Sequence, residues 1–131
     1  MATGNIERVL TLFRGVESRD LNLLTKYINA DRYTEHSPYA ADGVDGLRDY
    51  IRQLPRESHL KVVRAFQDGD YVFTQEEGLI FGQSVFFDIF RFEDGQIVEH
   101  WGFPQTIRLK RTGRIATAWS RSEAIKRYEQ I

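Results

Sequence analysis

The spacing of apolar residues predicts a helical first part of the chain. Apolar residues recur every three or four positions near the N-terminus, at Ile6, Val9, Leu10, Phe13 and Val16. This spacing is typical of an amphipathic helix, which Thr3 or Asn5 can cap. Asp20 can cap a second short helix, whose apolar residues are Leu21, Leu24 and Ile28.

An extended segment and a third helix follow. Residues 32–36 are predicted to be extended, since Pro38 disfavours helical geometry just before it. Asp42 or Asp45 can then open a third helix, which Pro55 ends. The first part of the chain therefore carries three predicted helices.

From His59 onward the apolar pattern changes to a period of two, which is typical of strands. Asp68-Gly69-Asp70 is a hairpin turn signal, as is Glu93-Asp94-Gly95-Gln96. The predicted strands cover residues 60–67, 71–77, 79–92 with a bend near Gly82, and 97–103. Helices followed by an antiparallel meander predict an α+β domain with helices on one face of a curved sheet. Such a sheet forms a cone that can hold a pocket.

The hairpin VFFDIFRFEDGQIVEHWGFPQ, residues 85–105, carries the strongest chemical signal. It places one carboxylate, Asp88, among aromatic and aliphatic residues, where burial is costly unless a partner is present. Alternation puts Asp88 on one face with Phe86 and Phe90, and puts His100 with Gly102 on the next strand. An aspartate and a histidine at one cavity can act as base and acid. A hydrogen bond that only holds the sheet together is the alternative, because structural pairs also perturb titration.

Three residues outside the hairpin are further candidates. His36 ends the extended segment and could line the pocket mouth, or could bond only to local backbone. Tyr33 lies on the opposite face of the extended segment from His36, unless that segment is irregular. Its hydroxyl could donate a hydrogen bond to a substrate oxygen, or its ring could simply pack against the sheet. Tyr50 is a weaker candidate of the same kind.

The other face of the hairpin predicts contacts of a different type. Arg91 is expected to pair with Glu99 across the two strands. Apolar residues also occupy this face, namely Val85, Phe87, Ile89, Trp101 and Phe103. Helices can cover one face of a sheet only, so this pattern favours a homodimer formed through the convex sheet face.

Composition narrows the function classes. The 131 residues indicate one domain, 1–131, and the net charge of −1 argues against nucleic-acid binding. Residues 1–105 carry 11 basic and 17 acidic residues, whereas residues 106–131 carry 7 and 2. We therefore expect a core, 1–105, and a basic C-terminal extension, 106–131, with short strands at 107–109 and 114–117 and a helix at 122–128.

Several signals are absent from the sequence. It contains no cysteine, no signal-peptide pattern and no apolar run of membrane-spanning length, so we expect a cytoplasmic protein that binds no membrane. The three histidines are far apart, and no phosphate-binding loop or serine nucleophile motif occurs. We therefore expect no metal and no cofactor.

Three segments resemble the SnoaL-like polyketide cyclases of the nuclear transport factor 2-like superfamily. They are YTEHSPYAADGVDGLRDYI (33–51), VVRAFQDGDYVFTQEE (62–77) and FDIFRFEDGQIVEHWGFPQ (87–105), within a resemblance that spans roughly residues 5–105. The resemblance implies a cone-shaped, cystatin-like α+β barrel: a strongly bent, mainly antiparallel sheet around three N-terminal helices, usually a homodimer. It also implies that Asp88 and His100 point into the cone.

The resemblance further implies a set of site residues. His36, Asp88 and His100 are the expected catalytic residues of the pocket. The resemblance places Tyr33, Phe90 and Gln105 near the pocket as ligand-binding residues, and the residue pattern itself adds Tyr50, Phe86 and Gly102 to this expected set. Related members carry out cofactor-free cyclisation, isomerisation or epoxide hydrolysis, which implies a hydrophobic, ring-containing carbonyl compound or epoxide as the ligand.

One departure from the family pattern leaves the function open. An aspartate commonly follows E-H-W, but this chain has Gly102, which is expected to free space beside His100. Asp88 and His100 could take over the proton transfer, or the domain could be a dimeric ligand-binding or interaction module without catalysis. A scaffold that binds another protein through the basic extension is the third interpretation.

Overall fold

The computed structural model describes residues 3–80 and 82–106, and the first half of this part is largely helical. Its three helices are α1 (Asn5–Ser18), α2 (Leu21–Leu24) and α3 (Gly43–Arg52). The buried residues of α1 follow the expected spacing, at Val9, Leu12, Phe13 and Val16, so the first predicted helix is confirmed. Among the described residues, no helix is long and apolar enough to cross a membrane.

The helix ends differ in part from the predictions. Gly4, rather than Thr3 or Asn5, is the N-cap residue of α1, and no side chain caps this helix. Asp20 caps α2 as predicted, since its carboxylate accepts hydrogen bonds from the backbone of Asn22 and Leu23. Helix α2 ends at Leu24, however, and does not reach Ile28.

The second half of the described residues supplies four strands of an open five-stranded sheet, and residues 34–35 supply the fifth. The strands are β1 (Thr34–Glu35), β2 (His59–Asp68), β3 (Tyr71–Leu79), β4 (Gln83–Glu93) and β5 (Gln96–Thr106), in the order β1-β5-β4-β3-β2. The meander β2 to β5 is antiparallel, whereas β1 pairs with β5 in parallel. The predicted α+β class is confirmed, and among residues 3–80 and 82–106 the edge strands β1 and β2 do not pair with each other, so the sheet is open and not a closed barrel.

The strand predicted over residues 79–92 is divided differently. Leu79 belongs to β3 and pairs with Gln83, the first residue of β4. Gly82, where a bend was expected, has a φ of +117° and lies in the turn between the two strands. A φ in this range is accessible to glycine but strained for other residues, so the chain reverses here instead of continuing as one bent strand.

The turn between β4 and β5 forms as predicted. Asp94 and Gly95 have φ values of 49° and 76°, which suit a two-residue hairpin turn with two left-handed residues. A bulge between Arg91 and Phe92 then shifts the register by one residue, so that Phe90 faces His100 and Asp88 faces Gly102. The expected elements at 107–109, 114–117 and 122–128 lie outside the described residues.

The hydrophobic core lies between the helices and one face of the sheet. Phe90 is 2% exposed and meets Phe13 of α1 edge-to-face, with ring centroids 5.9 Å apart. Val72, Phe92 and Ile97 are also fully buried in this layer. The cone is therefore packed at one end, and a cavity opens beside Phe90 toward β1 and α3.

Candidate functional site

The parallel pairing of β1 with β5 places Glu35 beside His100. The two residues are register partners, and the backbone N–H of His36 donates to the carbonyl oxygen of His100 at 2.9 Å. The N–H of Glu35 donates to an Asp42 carboxylate oxygen at 2.7 Å, which holds the segment on its other side. Strand β1 is only two residues long, yet it delivers a second carboxylate to the predicted aspartate and histidine.

His100 lies between two carboxylates. Its Nδ1 is 2.7 Å from Glu35 Oε2, and its Nε2 is 2.6 Å from Asp88 Oδ1. A neutral imidazole has one N–H only, so donation to both carboxylates requires the imidazolium form. Burial alone lowers the pKa of His100, but the hydrogen bonds and negative charges of Asp88 and Glu35 outweigh it and raise the pKa to about 9.

Glu35 is held by two further donors. The Tyr33 hydroxyl donates to Oε1 at 2.8 Å, and the backbone N–H of Ser37 donates to Oε2 at 3.1 Å. Burial, and then the negative charge of Glu35, raise the pKa of the Tyr33 hydroxyl well above its usual range. Tyr33 therefore stays protonated and orients Glu35 toward His100.

A second glutamate, Glu76, is buried behind Asp88. Thr74 is the register partner of Asp88, so Glu76 lies one diagonal step away on the same face of the sheet. Its side chain is 0% exposed, and its carboxyl oxygens meet no donor among the described residues. Burial, and then the charge of Asp88, raise the pKa of Glu76 far above its usual range. Glu76 is therefore a neutral acid at pH 7, buried beside the Asp88 carboxylate.

These groups meet a cavity of about 260 Å³. Its walls come from α1, α3 and the concave face of the sheet, and most of the residues that line it are apolar. Its charged lining residues, among those described, are Glu35, Asp88 and His100. The Tyr50 hydroxyl also lies at the cavity, and burial followed by the charge of Asp88 raises its pKa. The site is a small apolar chamber with one acidic end.

Seven of the nine residues expected at the site line this cavity. They are Asp88 and His100 among the expected catalytic residues, and Tyr33, Tyr50, Phe86, Phe90 and Gly102 among the expected ligand-binding residues. Gln105 is not among them, since it is exposed and pairs with Val85 on the opposite parity from Asp88. Side chains alternate between the two faces of the hairpin strands, which explains why the hairpin residues Phe86, Asp88, Phe90, His100 and Gly102 line the cavity and Gln105 does not.

His36 is placed on the outer face of the sheet and not at the pocket mouth. Its ring stacks on Trp101, with centroids 4.6 Å apart and planes inclined by 5°, and its Nε2 is 2.6 Å from Glu99 Oε2. Arg91 donates to Glu99 at 2.6 Å, so the expected cross-strand pair is confirmed. The physical reason is parity, because His36 follows Glu35 in an extended segment and must face the other way.

Gly102 does not leave free space beside His100, contrary to expectation. A Cβ atom at this position would lie 2.8 Å from Asp88 Oδ1 and 3.2 Å from His100 Cε1. The Asp88 carboxylate therefore occupies the place where a longer side chain would begin. A side chain at position 102 would therefore press against the Asp88 carboxylate and the His100 ring at the point where they meet.

Sequence reasoning missed Glu35 and Glu76, although the signal was available. Glu35 shares the parity of Tyr33, so a Tyr33 that faces the pocket implies that Glu35 faces it too. Glu76 shares the parity of Val72, a core residue of the same strand. Neither residue stood out, because exposed glutamates are common and the partner strands were unknown.

Comparison with known proteins identifies the family and the fold. Residues 9–100 match the sequence profile of the SnoaL-like domain. No curated protein matches the chain significantly. Among solved structures, a candidate ketosteroid isomerase from Kribbella flavida is 14% identical, with a TM-score of 0.69 and 81% of each chain covered.

Two other solved structures share the fold. IdmH from Streptomyces antibioticus, described as a candidate polyketide cyclase, is 19% identical with a TM-score of 0.64, covering 79% of this chain and 93% of its own. A Catenulispora acidiphila protein with a ketosteroid isomerase-like fold, in complex with trimethylamine, is 18% identical. Its TM-score is 0.61, with 74% of this chain and 84% of its own covered. The fold is thus nuclear transport factor 2-like, and the chain belongs to the SnoaL-like domain family.

Proposed function

We propose that this protein is a cofactor-independent acid/base enzyme that acts on a hydrophobic small molecule. The observation that carries the proposal is the bridge Glu35–His100–Asp88 at the end of an apolar cavity. Buried carboxylates and a charged histidine are costly to keep in such a place, and perturbed titrating groups cluster at functional sites. A purely structural pair would not need to open onto a cavity.

Asp88 is the proposed base. One of its oxygens accepts a hydrogen bond from His100, which leaves lone pairs for a substrate proton. The imidazolium of His100 compensates the charge of Asp88 before transfer, and Glu35 keeps the ring oriented. The Tyr50 hydroxyl lines the same cavity and is the proposed donor to a substrate oxygen.

The proposed substrate is a ring-containing carbonyl compound or an epoxide. The aromatic and aliphatic walls favour a ligand with an apolar body. The cavity volume of about 260 Å³ is below the roughly 300–1,000 Å³ typical of pockets for drug-sized ligands, so a small ligand is favoured. Structural neighbours described as a candidate polyketide cyclase and a candidate ketosteroid isomerase support this substrate class. The neighbour in complex with trimethylamine supports small-molecule binding.

The alternative is a ligand-binding module without catalysis, which the glycine at position 102 suggested. The close approach of Asp88 to Gly102 argues against a module without catalysis. The Asp88 carboxylate lies next to position 102, where family members commonly have an aspartate. A ligand-binding module would bind a compound without transferring a proton, whereas the proposed enzyme would do both. One experiment distinguishes these two functions.

The test is deuterium exchange into a panel of cyclic ketones incubated with the protein in D2O, together with hydrolysis of a panel of epoxides. We expect at least one compound to exchange or to be hydrolysed with the wild-type protein. Asp88→Asn should abolish this activity, since it removes the base while keeping the side-chain shape, and His100→Gln should lower it at least tenfold.

Matched controls are available on the outer face of the sheet. Glu99→Gln and His36→Gln remove the same kinds of group from positions that do not line the cavity, so both variants should retain activity. Ligand binding without exchange or hydrolysis, in every compound tested, would favour the non-catalytic module. Activity that survives Asp88→Asn would remove Asp88 from the mechanism.

We also propose that the protein is a homodimer through the outer face of the sheet. Exposed aromatic residues on this face support the proposal: Phe66 is 58%, Tyr71 39%, Phe87 39% and Phe103 55% exposed. Exposed apolar patches of this kind commonly mark protein–protein contacts. The residues that line the cavity lie on the inner face of the sheet, so the proposed dimer does not bury them.

A further inference from the structure

The charged groups that line the cavity leave it with a net negative charge. Glu35 and Asp88 contribute two carboxylates, and His100 contributes one positive charge because both of its nitrogens are hydrogen-bonded to carboxylates. No lysine or arginine lines the cavity in the part of the chain that the structure describes. One negative charge therefore remains without a counter-charge inside an otherwise apolar chamber.

Hydrogen-bond donors are also scarce at this end of the cavity. The N–H groups of His100, the Tyr33 hydroxyl and the backbone N–H of Ser37 all donate to Glu35 or Asp88. The remaining side-chain donors on the described lining residues are the hydroxyls of Tyr50, Tyr39, Ser37 and Ser84, and the last of these donates to the Gly82 carbonyl oxygen. An anionic ligand would meet two carboxylates with few donors to stabilise it, whereas a ligand that donates hydrogen bonds would meet open acceptors.

The walls next to the acidic end are aromatic. Phe86, Phe90 and Tyr50 line the cavity together with Asp88. The faces of aromatic rings attract cations, and the attraction is stronger where water is excluded. The same chamber therefore combines a negative charge, carboxylate acceptors and aromatic residues, and this combination favours a positive ligand.

We propose that the cavity takes a compact hydrophobic ligand that carries a positively charged nitrogen, such as a protonated amine attached to a single ring. The inference rests on the proposed function in that it concerns the same cavity, and it narrows the substrate class to compounds with a basic nitrogen. The cation lies at the acidic end beside Asp88, and the ring lies against the aromatic walls.

The test compares three probes with the same ring and different charge: benzylamine, benzyl alcohol and benzoate. Their affinities for the full-length protein are measured by isothermal titration calorimetry at pH 7 and low ionic strength. We expect benzylamine to bind at least tenfold tighter than benzoate and also tighter than benzyl alcohol. Equal or tighter binding of benzoate or benzyl alcohol would overturn the proposal, as would a failure of all three to bind.

Charge-removing variants decide whether the cavity causes the preference. Asp88→Asn makes the cavity neutral, so the ratio of benzylamine to benzyl alcohol affinity should fall at least tenfold. Glu99→Gln changes the net charge of the protein by the same amount on the outer face, and should leave the ratio unchanged. A ratio that falls equally in both variants would attribute the preference to overall charge and would overturn the proposal. If Asp88→Asn does not fold, Glu35→Gln serves as the second charge-removing variant.

The ligand class and the proposed catalysis can fail separately. If benzylamine is preferred but no compound exchanges deuterium or is hydrolysed, the ligand class stands and acid/base catalysis fails. If a neutral ketone exchanges readily while benzoate binds as well as benzylamine, catalysis stands and the ligand class fails. The two experiments use the same protein, so their outcomes can be compared directly.

Discussion

His100 connects the two carboxylates of the site, and its charge depends on both of them. The folded-state pKa of about 9 lies above the ordinary value of 6.5. Because the folded protein binds this proton more tightly than the unfolded chain, the stabilising contribution is fully present below about pH 6.5. It is lost progressively as the pH rises from there through about 9.

The protonation of His100 gives the first prediction at this scale. We expect an NMR titration of the His100 ring protons to show a midpoint close to pH 9. Asp88→Asn and Glu35→Gln should each lower this midpoint, because each removes a carboxylate that stabilises the imidazolium. Glu99→Gln, which lies outside the cavity, should leave it in place. A wild-type midpoint near 6.5 would show that His100 is not bridged by the two carboxylates.

Glu76 gives the second prediction, on stability. Its pKa is raised in the folded protein, so the folded state keeps a proton that the unfolded chain releases above about pH 4.5. Each pH unit above that value costs about 1.4 kcal/mol of stability until the folded-state pKa is reached. Glu76→Gln removes this cost and keeps a donor toward Asp88, so the variant should gain stability over the wild type as the pH rises from 5 to 8.

The Glu76 prediction is checked by urea denaturation at several pH values. Glu57 is exposed, so Glu57→Gln is the matched control and should show no gain that increases with pH. A stability difference between Glu76→Gln and the wild type that stays constant from pH 5 to 8 would contradict a protonated Glu76. Glu76→Ala should be destabilised at all pH values, since it leaves a cavity behind Asp88.

At the scale of elements, the short strand β1 decides which residues form the site. It contributes two residues to the sheet, and its hydrogen bond to β5 aligns Glu35 with His100. The same alignment turns His36 outward onto Trp101. One register step in this pairing would exchange the roles of Glu35 and His36.

A backbone substitution tests the role of this pairing. His36→Pro removes the N–H that donates to the carbonyl oxygen of His100, and therefore weakens the contact between β1 and β5. We expect the pKa of His100 to fall in this variant because Glu35 no longer lies beside the ring. His36→Ala loses the same side chain but keeps the N–H, so its His100 pKa should match the wild type by NMR. A pKa that is the same in both variants would show that Glu35 is placed by other contacts.

At the scale of the whole molecule, the sheet separates two surfaces with different roles. Its inner face carries the cavity, and its outer face carries exposed aromatic residues with the ion pairs of Arg91 and Glu99. Both surfaces follow from a sheet that the helices of residues 3–80 cover on its inner face.

The homodimer proposal belongs to this scale. Phe87→Lys places a charge in the middle of the outer face, and should raise the dimer dissociation constant at least tenfold because burying an unpaired lysine is unfavourable. Light scattering coupled to size-exclusion chromatography measures the change. Glu57→Lys introduces the same residue at an exposed site outside this face and should leave the oligomeric state unaltered. A wild-type protein that elutes as a monomer at micromolar concentration would contradict the proposal.

The sequence alone determined most of the secondary structure and one side of the site. Helical spacing located α1, Asp20 capped α2, and the Asp-Gly turn signals set the hairpins, because all of these depend on residues close together in the chain. The resemblance, rather than the turn, placed Asp88 and His100 on one face, since a bulge between Arg91 and Phe92 shifts the register that the two-residue turn alone would give.

Only the tertiary structure decided which distant segments meet. The pairing of β1 with β5 joins residues 65 positions apart, and it brought Glu35 rather than His36 to His100. The close approach of Asp88 to Gly102, and the burial of Glu76 behind Asp88, likewise depend on the packing of several elements at once. Local patterns carry no information about such contacts, because the sheet order and the cavity are set by burial summed over the whole chain.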